Sequence, residues 1–261
     1  MDHELQINKE RKTMKGLILA AGYGTRLYPL TLDRPKPLVK VGGQTILERL
    51  IKKFEALGSC DKVYVVTNDK FYSMMVKWIR DRSFSVELEV INDRTTSNED
   101  RLGAIGDINL VLETEDPRDD VLIVAGDNLF EFDISDFVRF ARKKDKFSVA
   151  LFDVKDRKLA QKYGIVSLDP DQKIADFEEK PSKPKSTLAS TGIYYFPGSK
   201  LSLMAEYIKT GLVKDAPGNF VKWVSENDGV FGYSFSEGWY DIGDKNSLEK
   251  ADIEYRKKEL E

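Results

Sequence analysis

The sequence predicts an α/β fold: a mostly parallel mixed sheet, flanked by helices, with a small antiparallel lobe. Short buried apolar runs alternate with amphipathic helical stretches through the first half, and strand-like runs joined by turns dominate the second. Size agrees, because 261 residues suit one α/β domain with an appended lobe.

In chain order, residues 1–13 are polar, mixed in charge and without periodicity. They read as a disordered leader, and 14–261 as a single folded domain. Residues 16–20 form a buried apolar run, and Ile46–Leu57 an amphipathic helix that Gly58 stops. A second strand is expected at 62–67, a helix at 71–82 and a third strand at 86–91. A polar loop, 92–101, then leads to a helix ending near Glu115. Asp120–Ala125 reads as a fourth strand that runs into Gly126-Asp127-Asn128, and 133–144 as helix. Such alternation implies right-handed βαβ units. From there 147–154, Gly164–Leu168, 174–178 and Leu188–Phe196 are strand-like, with a turn at Pro170-Asp171, and suggest antiparallel strands at the sheet edge. Helices at 200–209 and 219–227, a strand at 230–236 and a helix at about 245–257 complete the pattern. There is no hexapeptide repeat, so no left-handed β-helix is expected.

Composition narrows the chemistry. With 41 basic and 44 acidic side chains the net charge is -3, which gives no global attraction to nucleic acid or an anionic membrane. No apolar run approaches the roughly 20 residues of a membrane helix, and a cytoplasmic protein is expected. A lone cysteine, Cys60, rules out an intrachain disulfide or a thiolate cluster. The single histidine, His3, lies in the leader, which disfavours a Ser-His-Asp triad, a Cys-His pair or a His-ligated metal. What remains is carboxylates, Lys, Arg, backbone amides and a hard cation such as Mg²⁺.

Three stretches carry candidate chemistry. Gly22 and Gly24, directly after the first strand, let backbone amides approach phosphate oxygens. The pair alone is weak. Leu27 stands where a dinucleotide fingerprint needs its last glycine, and no Gly-Lys-Ser/Thr follows as in a Walker loop. Arg26 and a lysine fixed between two prolines, Pro35-Lys36-Pro37, strengthen it, since guanidinium and ammonium suit a triphosphate. The plain alternative for Lys36 is a solvated residue in a stiff loop. Asp127 ends a buried strand, where open α/β sheets bind ligands, although strand-end aspartates also cap helices. Asp241, in Trp239-Tyr-Asp-Ile-Gly243, is by itself an ordinary turn residue.

Together, Leu19-Ala-Ala-Gly-x-Gly-Thr-Arg-Leu27 and Pro35-Lys-Pro-Leu38 resemble the N-terminal motif of the sugar-phosphate nucleotidylyltransferases, and within them the glucose-1-phosphate thymidylyltransferases. The likeness runs from about Met14 to the C-terminal helix. It implies a Rossmann-like sheet with a sugar-binding antiparallel lobe, with 14–146 as the nucleotide half and 147–261 as the sugar-phosphate half. It implies that Ala21, Gly22, Gly24, Thr25 and Arg26 hold a triphosphate, that Arg26, Lys36 and Asp127 are catalytic, and that Asp127 and Asp241 bind Mg²⁺. Gly164, Glu179, Lys180, Thr191, Gly192 and Trp239 would form the sugar-phosphate pocket, with Tyr163 beside them.

The base-reading segment departs from the pattern. In place of Gln-Pro and Gly-Leu-Ala the chain has Asn92-Asp93, a polar stretch and Arg101-Leu-Gly103. Asn92 and Gly103 are the candidate base contacts, with dTTP favoured and CTP and UTP next. The implied reaction joins a nucleoside triphosphate to a sugar 1-phosphate, glucose 1-phosphate favoured, and releases pyrophosphate. Nucleic acid and membranes are not expected as partners, and a homo-oligomer is left open. Two rivals stay open: a cytidylyltransferase acting on a phospho-alcohol, and a non-catalytic sugar-nucleotide-binding subunit. An inverting glycosyltransferase would want Asp-x-Asp, which Gly126-Asp-Asn128 does not supply.

Overall fold

Four parallel strands form the frame. In the computed structural model, which describes residues 13–213 and 215–258, these are β1 (Met14–Leu19), β4 (Cys60–Thr67), β5 (Glu87–Asn92) and β6 (Asp120–Ala125), in the order β6-β1-β4-β5. His3 and the expected leader up to residue 12 lie outside the described residues. Two short strands, β2 (Lys40–Val41) and β3 (Gln44–Thr45), make a hairpin before α1 (Ile46–Leu57). The remaining helices of this half are α2 (Asp69–Arg80), α3 (Gly103–Glu115) and α4 (Ile134–Lys144), with β7 (Asn128–Phe130) between β6 and α4.

Local chemistry fixes these ends. Thr45 Oγ1 accepts from the Glu48 amide to start α1, and Gly58 closes it at φ 60°. Asn68 caps α2 in the same way, through the Phe71 amide, so α2 begins two residues before the apolar periodicity does. Asp133 caps α4. Ile46, Leu50 and Phe54 of α1 are buried, as the helical spacing requires.

The second half comprises β8 (Ser148–Asp153), α5 (Arg157–Ala160), β9 (Gly164–Leu168), β10 (Ile174–Glu179), β11 (Leu188–Phe196), α6 (Ser202–Lys209), α7 (Pro217–Asn227), β12 (Phe231–Phe235), β13 (Trp239–Asp241) and α8 (Lys245–Lys258). Its antiparallel strands are hydrogen-bonded into the main sheet, which has nine strands among the described residues. β12 runs parallel to β8, and β13 pairs with β7 as a separate antiparallel ribbon. Alternate residues of β1 serve opposite layers: Ile18 packs with Leu50, Phe54 and Phe137, Leu17 with Ile105, Ile123 and Phe196. A sheet covered on both faces explains its near-continuous apolar strands.

β11 is where the site opens. Leu188 and Ala189 pair with β9, but Ile193–Phe196 pair with β6. Between them Gly192 stands at φ 73°, and a Cβ there would come 2.9 Å from the Ala125 Cβ. One strand thus changes neighbour at the carboxyl rim of β6 and leaves a crevice between β6 and β9. Among the described residues no helix is long and apolar enough to cross a membrane.

Candidate active site

The loop after β1 is held from below. Ala20 N donates to Val66 O (2.8 Å), and Asn68 Nδ2 donates to Ala21 O (2.8 Å). Gly126 N donates to Leu19 O at 2.8 Å, so the loops after β1 and β6 lie side by side. Gly24 takes φ 62°, and its carbonyl accepts from Thr31 Oγ1 (2.7 Å) before the single turn Thr25–Leu27. A Cβ at Gly22 would meet nothing within 4 Å, so this stretch faces open space. That space is a cavity of about 480 Å³ lined by Ala21 to Leu27, Lys36, Asp127 and Gly192 at one end.

Lys36 is buried and donates from Nζ to Asp127 Oδ2 at 2.8 Å. Pro35 and Pro37 set it at the start of the short turn Lys36–Leu38. Burial opposes ionisation of Asp127, but the charge and hydrogen bond of Lys36 outweigh it and hold the carboxyl below its usual range. Asn128 Nδ2 donates to the other oxygen, Oδ1, at 2.8 Å. The β7–β13 ribbon then brings in Asp241, whose register partner is Asn128, and Ile242 N donates to Asp127 O at 2.9 Å. Two aspartates 114 residues apart in sequence therefore meet at one rim. Burial, and after it the charge of Asp127, push Asp241 up to about 6, with Lys36 and Arg26 opposing.

These two carboxylates fit a hard divalent cation. Such an ion takes one or two protein carboxylates and completes its shell with phosphate and water oxygens. Among the described residues no group of three or more His, Cys, Asp or Glu could form an all-protein cage. The donor set suits Mg²⁺ better than a structural metal.

A second cavity, of about 280 Å³, adjoins the first at Arg26, Asp127 and Gly192. Tyr163, Gly164, Glu179, Lys180, Thr191, Trp239 and Asp241 line it, so the structure gathers the predicted sugar-phosphate set. Glu179 is tucked between Gly164 and Gly218, where a Cβ at either would collide with it or with Phe177. Burial raises its carboxyl and Lys180 opposes that. Two of the set are committed elsewhere. Thr191 Oγ1 donates to Ala150 O (2.8 Å), which leaves its backbone to the cavity. Trp239 Nε1 donates to Asn128 Oδ1 (2.7 Å), and its ring packs edge-on to Tyr163 at 5.0 Å, which makes it a wall.

Asn92 is not gathered. It points away from the cleft, where Nδ2 donates to Asp69 Oδ1 (2.8 Å) and Oδ1 accepts from the Arg94 amide (2.8 Å). Its neighbour Asp93 lines the large cavity instead, with Gly103, Ala104, Asp107 and the Arg101–Asp215 ion pair. Successive residues of a strand face opposite ways, so a one-residue difference exchanges the side chain that reaches the cleft. Asp107 was missed as well. Its signal is a charge on the apolar face of α3, four residues before buried Val111 and next to buried Ile108.

Comparison with known proteins agrees with this geometry. The family model described as nucleotidyl transferase matches residues 15–258. The bifunctional protein GlmU of Methanocaldococcus jannaschii is 30% identical over 231 residues, which are 88% of this chain and 51% of that protein. The chain thus spans about half the length of that curated relative. A Bacillus anthracis structure, provisionally described as a glucose-1-phosphate thymidylyltransferase in complex with a sucrose, superposes with TM-score 0.80 at 26% identity, covering 94% of this chain and 96% of that one. A UDP-glucose pyrophosphorylase complexed with UDP-glucose superposes with TM-score 0.79, covering 94% and 99% of the two chains, and at 19% identity it speaks for the fold alone.

Proposed function

The chain belongs to the nucleotidyl transferase family, and from that premise we propose that it joins a nucleoside triphosphate to a sugar 1-phosphate and releases pyrophosphate. The observation that carries the proposal is the Lys36–Asp127 pair at the junction of the two cavities. A triphosphate would lie along the loop from Ala21 to Arg26, and a sugar phosphate would enter from the side of Gly164, Glu179 and Lys180. Residues 14–146 would supply most of the first site and 147–261 most of the second.

In the proposed step a phosphate oxygen of the sugar phosphate attacks the α-phosphorus in line. A new P–O bond forms, and the bond from α-phosphorus to the bridging oxygen of pyrophosphate breaks. The nucleophile is already an anion, so no histidine base is needed. The protein aligns the reactants and offsets their charge. Amides of the glycine loop and the Arg26 guanidinium would grip the triphosphate. Lys36, held rigid by its prolines, would meet charge as it develops on the leaving pyrophosphate. Asp127 and Asp241 would hold Mg²⁺, which supplies neutralisation between the two phosphates.

Glucose 1-phosphate is the first acceptor to test, on the motif likeness and the Bacillus anthracis neighbour. The same likeness points to dTTP, but the chain has Asn92-Asp93 where that likeness has Gln-Pro. A non-catalytic binder would have no need of Lys36, Asp127 and Asp241 together. The experiment is pyrophosphate release from CTP, ATP, GTP, UTP and dTTP with Mg²⁺, against glucose 1-phosphate, other sugar 1-phosphates and phosphocholine. Release that requires a sugar 1-phosphate is expected. Absence of release with every sugar phosphate, or release with phosphocholine alone, would contradict the proposal.

A further inference from the structure

At the end of the large cavity away from Lys36, two aspartates share a buried hydrogen bond. Asp93, just past β5, accepts from Thr95 N (2.7 Å), and Thr95 Oγ1 donates to both its oxygens (2.8 and 3.0 Å). Asp107 reaches the same place from α3 and hydrogen-bonds Asp93. It is only 6% exposed and lines the cavity, yet its Oδ1 has no hydrogen-bond partner among the described residues. Burial, and after it the charge of Asp93, push the Asp107 carboxyl up to about 8. At neutral pH Asp107 therefore keeps its proton and gives it to Asp93 in the shared bond. Its Oδ1 is enclosed by protein, so the carboxyl meets the cavity through its other oxygen, an acceptor in a site water reaches poorly, and such a group wants a donor.

Strand order says which part of a substrate lies there. Asp127 follows β6 and Asp93 follows β5, three places away in β6-β1-β4-β5. At the usual strand spacing that is about 14 Å along the rim. With the phosphates over β1 and the reacting centre over β6, the base of a nucleoside triphosphate falls at the β5 end. Gly103, at φ 77°, and Ala104 keep that wall low.

We propose that Asp107 accepts, through the carboxyl oxygen that faces the cavity, a hydrogen bond from the exocyclic amine of the nucleobase, so that the cleft selects cytosine or adenine triphosphates over those of uracil and thymine. The inference rests on reading the cleft as a nucleoside triphosphate site. Cytosine and adenine each offer an amine on the edge away from the sugar, whereas guanine places an oxygen there and its amine on the minor-groove side. Uracil and thymine place a carbonyl oxygen where cytosine has its amine, and two acceptors would then face each other in a buried site. A site built around a polar partner rejects the analogue that lacks it far more strongly than an apolar pocket does. The result reverses the dTTP preference that the motif likeness implies.

Equilibrium binding of CTP, ATP, GTP, UTP and dTTP to the intact chain, without sugar phosphate, tests this. CTP or ATP should bind tenfold or more tighter than UTP and dTTP, about 1.4 kcal/mol. Asp107→Asn reproduces the protonated acid, with an amide donor toward Asp93 and a carbonyl toward the base, and should keep that ratio. Asp107→Ala should bring it near one, while the affinity for glucose 1-phosphate stays put and a thermal melt confirms folding. Equal affinities for all five, as a water bound at the Asp107 carboxyl would give, would overturn the inference and leave nucleotidyl transfer standing. So would tighter binding of UTP or dTTP, or an unchanged ratio in Asp107→Ala. Binding of no triphosphate at all would overturn both readings.

Discussion

The two ends of the cleft treat a buried carboxylate in opposite ways. At the β6 end Lys36 keeps Asp127 ionised against its burial. At the β5 end burial, and after it the charge of Asp93, push Asp107 the other way, and it holds a proton. The residue type is the same, and the neighbours decide its state. An ionised acid beside an ammonium suits a place where phosphates and a divalent cation gather. A protonated acid suits one where a neutral ring must be read by its hydrogen-bond edge, because a full negative charge there would repel the triphosphate.

The comparison is broken most severely at the cationic end. Lys36→Ala should lower turnover by two or more orders of magnitude, since losing a charge contact made in the transition state costs about 3–4 kcal/mol. Near-normal turnover in a folded variant would show that the lysine is only a loop residue. Asp241→Asn should have a comparable effect on rate, and EDTA should abolish turnover. Full activity after chelation would remove the divalent cation from the account.

A smaller effect separates the acids through pH. The Asp107 pKa is raised on folding, so between the ordinary carboxylate value near 4 and about 8 the folded state holds a proton that the unfolded chain has released. Stability therefore falls as pH rises through that window, by at most about 1.4 kcal/mol per pH unit. Asp107→Asn should lack this loss. Unfolding free energies measured from pH 4 to 8 should show the variant gaining on the native chain as pH rises, and parallel curves would contradict the buried proton. The smallest effect is expected at the mouth. Arg101 and Asp215 form a bidentate pair (3.1 and 2.8 Å) with both side chains largely exposed, so Arg101→Ala should change unfolding free energy by less than about 1 kcal/mol.

The cationic end was legible in the sequence because its parts are backbone devices written in one stretch. Gly22, Gly24 and the Pro35-Lys36-Pro37 clamp mark a glycine loop and a restrained lysine before any packing is known, and the structure brings them to one cavity. The pairing of Asp127 with Asp241 was not derivable from spacing, because a ribbon of only three paired residues, Asn128–Phe130 with Trp239–Asp241, brings them together. Strands that short carry no alternation to read. The proton-sharing end was misread by one position. Asn92, read as the first residue of the polar loop, is the last residue of β5, and the pleat turns it to Asp69 and presents Asp93. Asp107 could be recognised only as an acid out of place on an apolar helical face. The strand-like runs of the second half were located well, whereas the parallel pairing of β12 with β8 is a long-range choice that no local pattern states.

The most direct test of the whole arrangement is a crystal structure of the intact chain with a non-hydrolysable CTP analogue, Mg²⁺ and glucose 1-phosphate. The account predicts the cytosine amine on Asp107, the triphosphate along residues 21–26 with Lys36 in contact, and the sugar phosphate beside Glu179 and Lys180, facing the α-phosphorus. A nucleotide bound the other way round, with its base among Tyr163, Glu179 and Trp239, would contradict it.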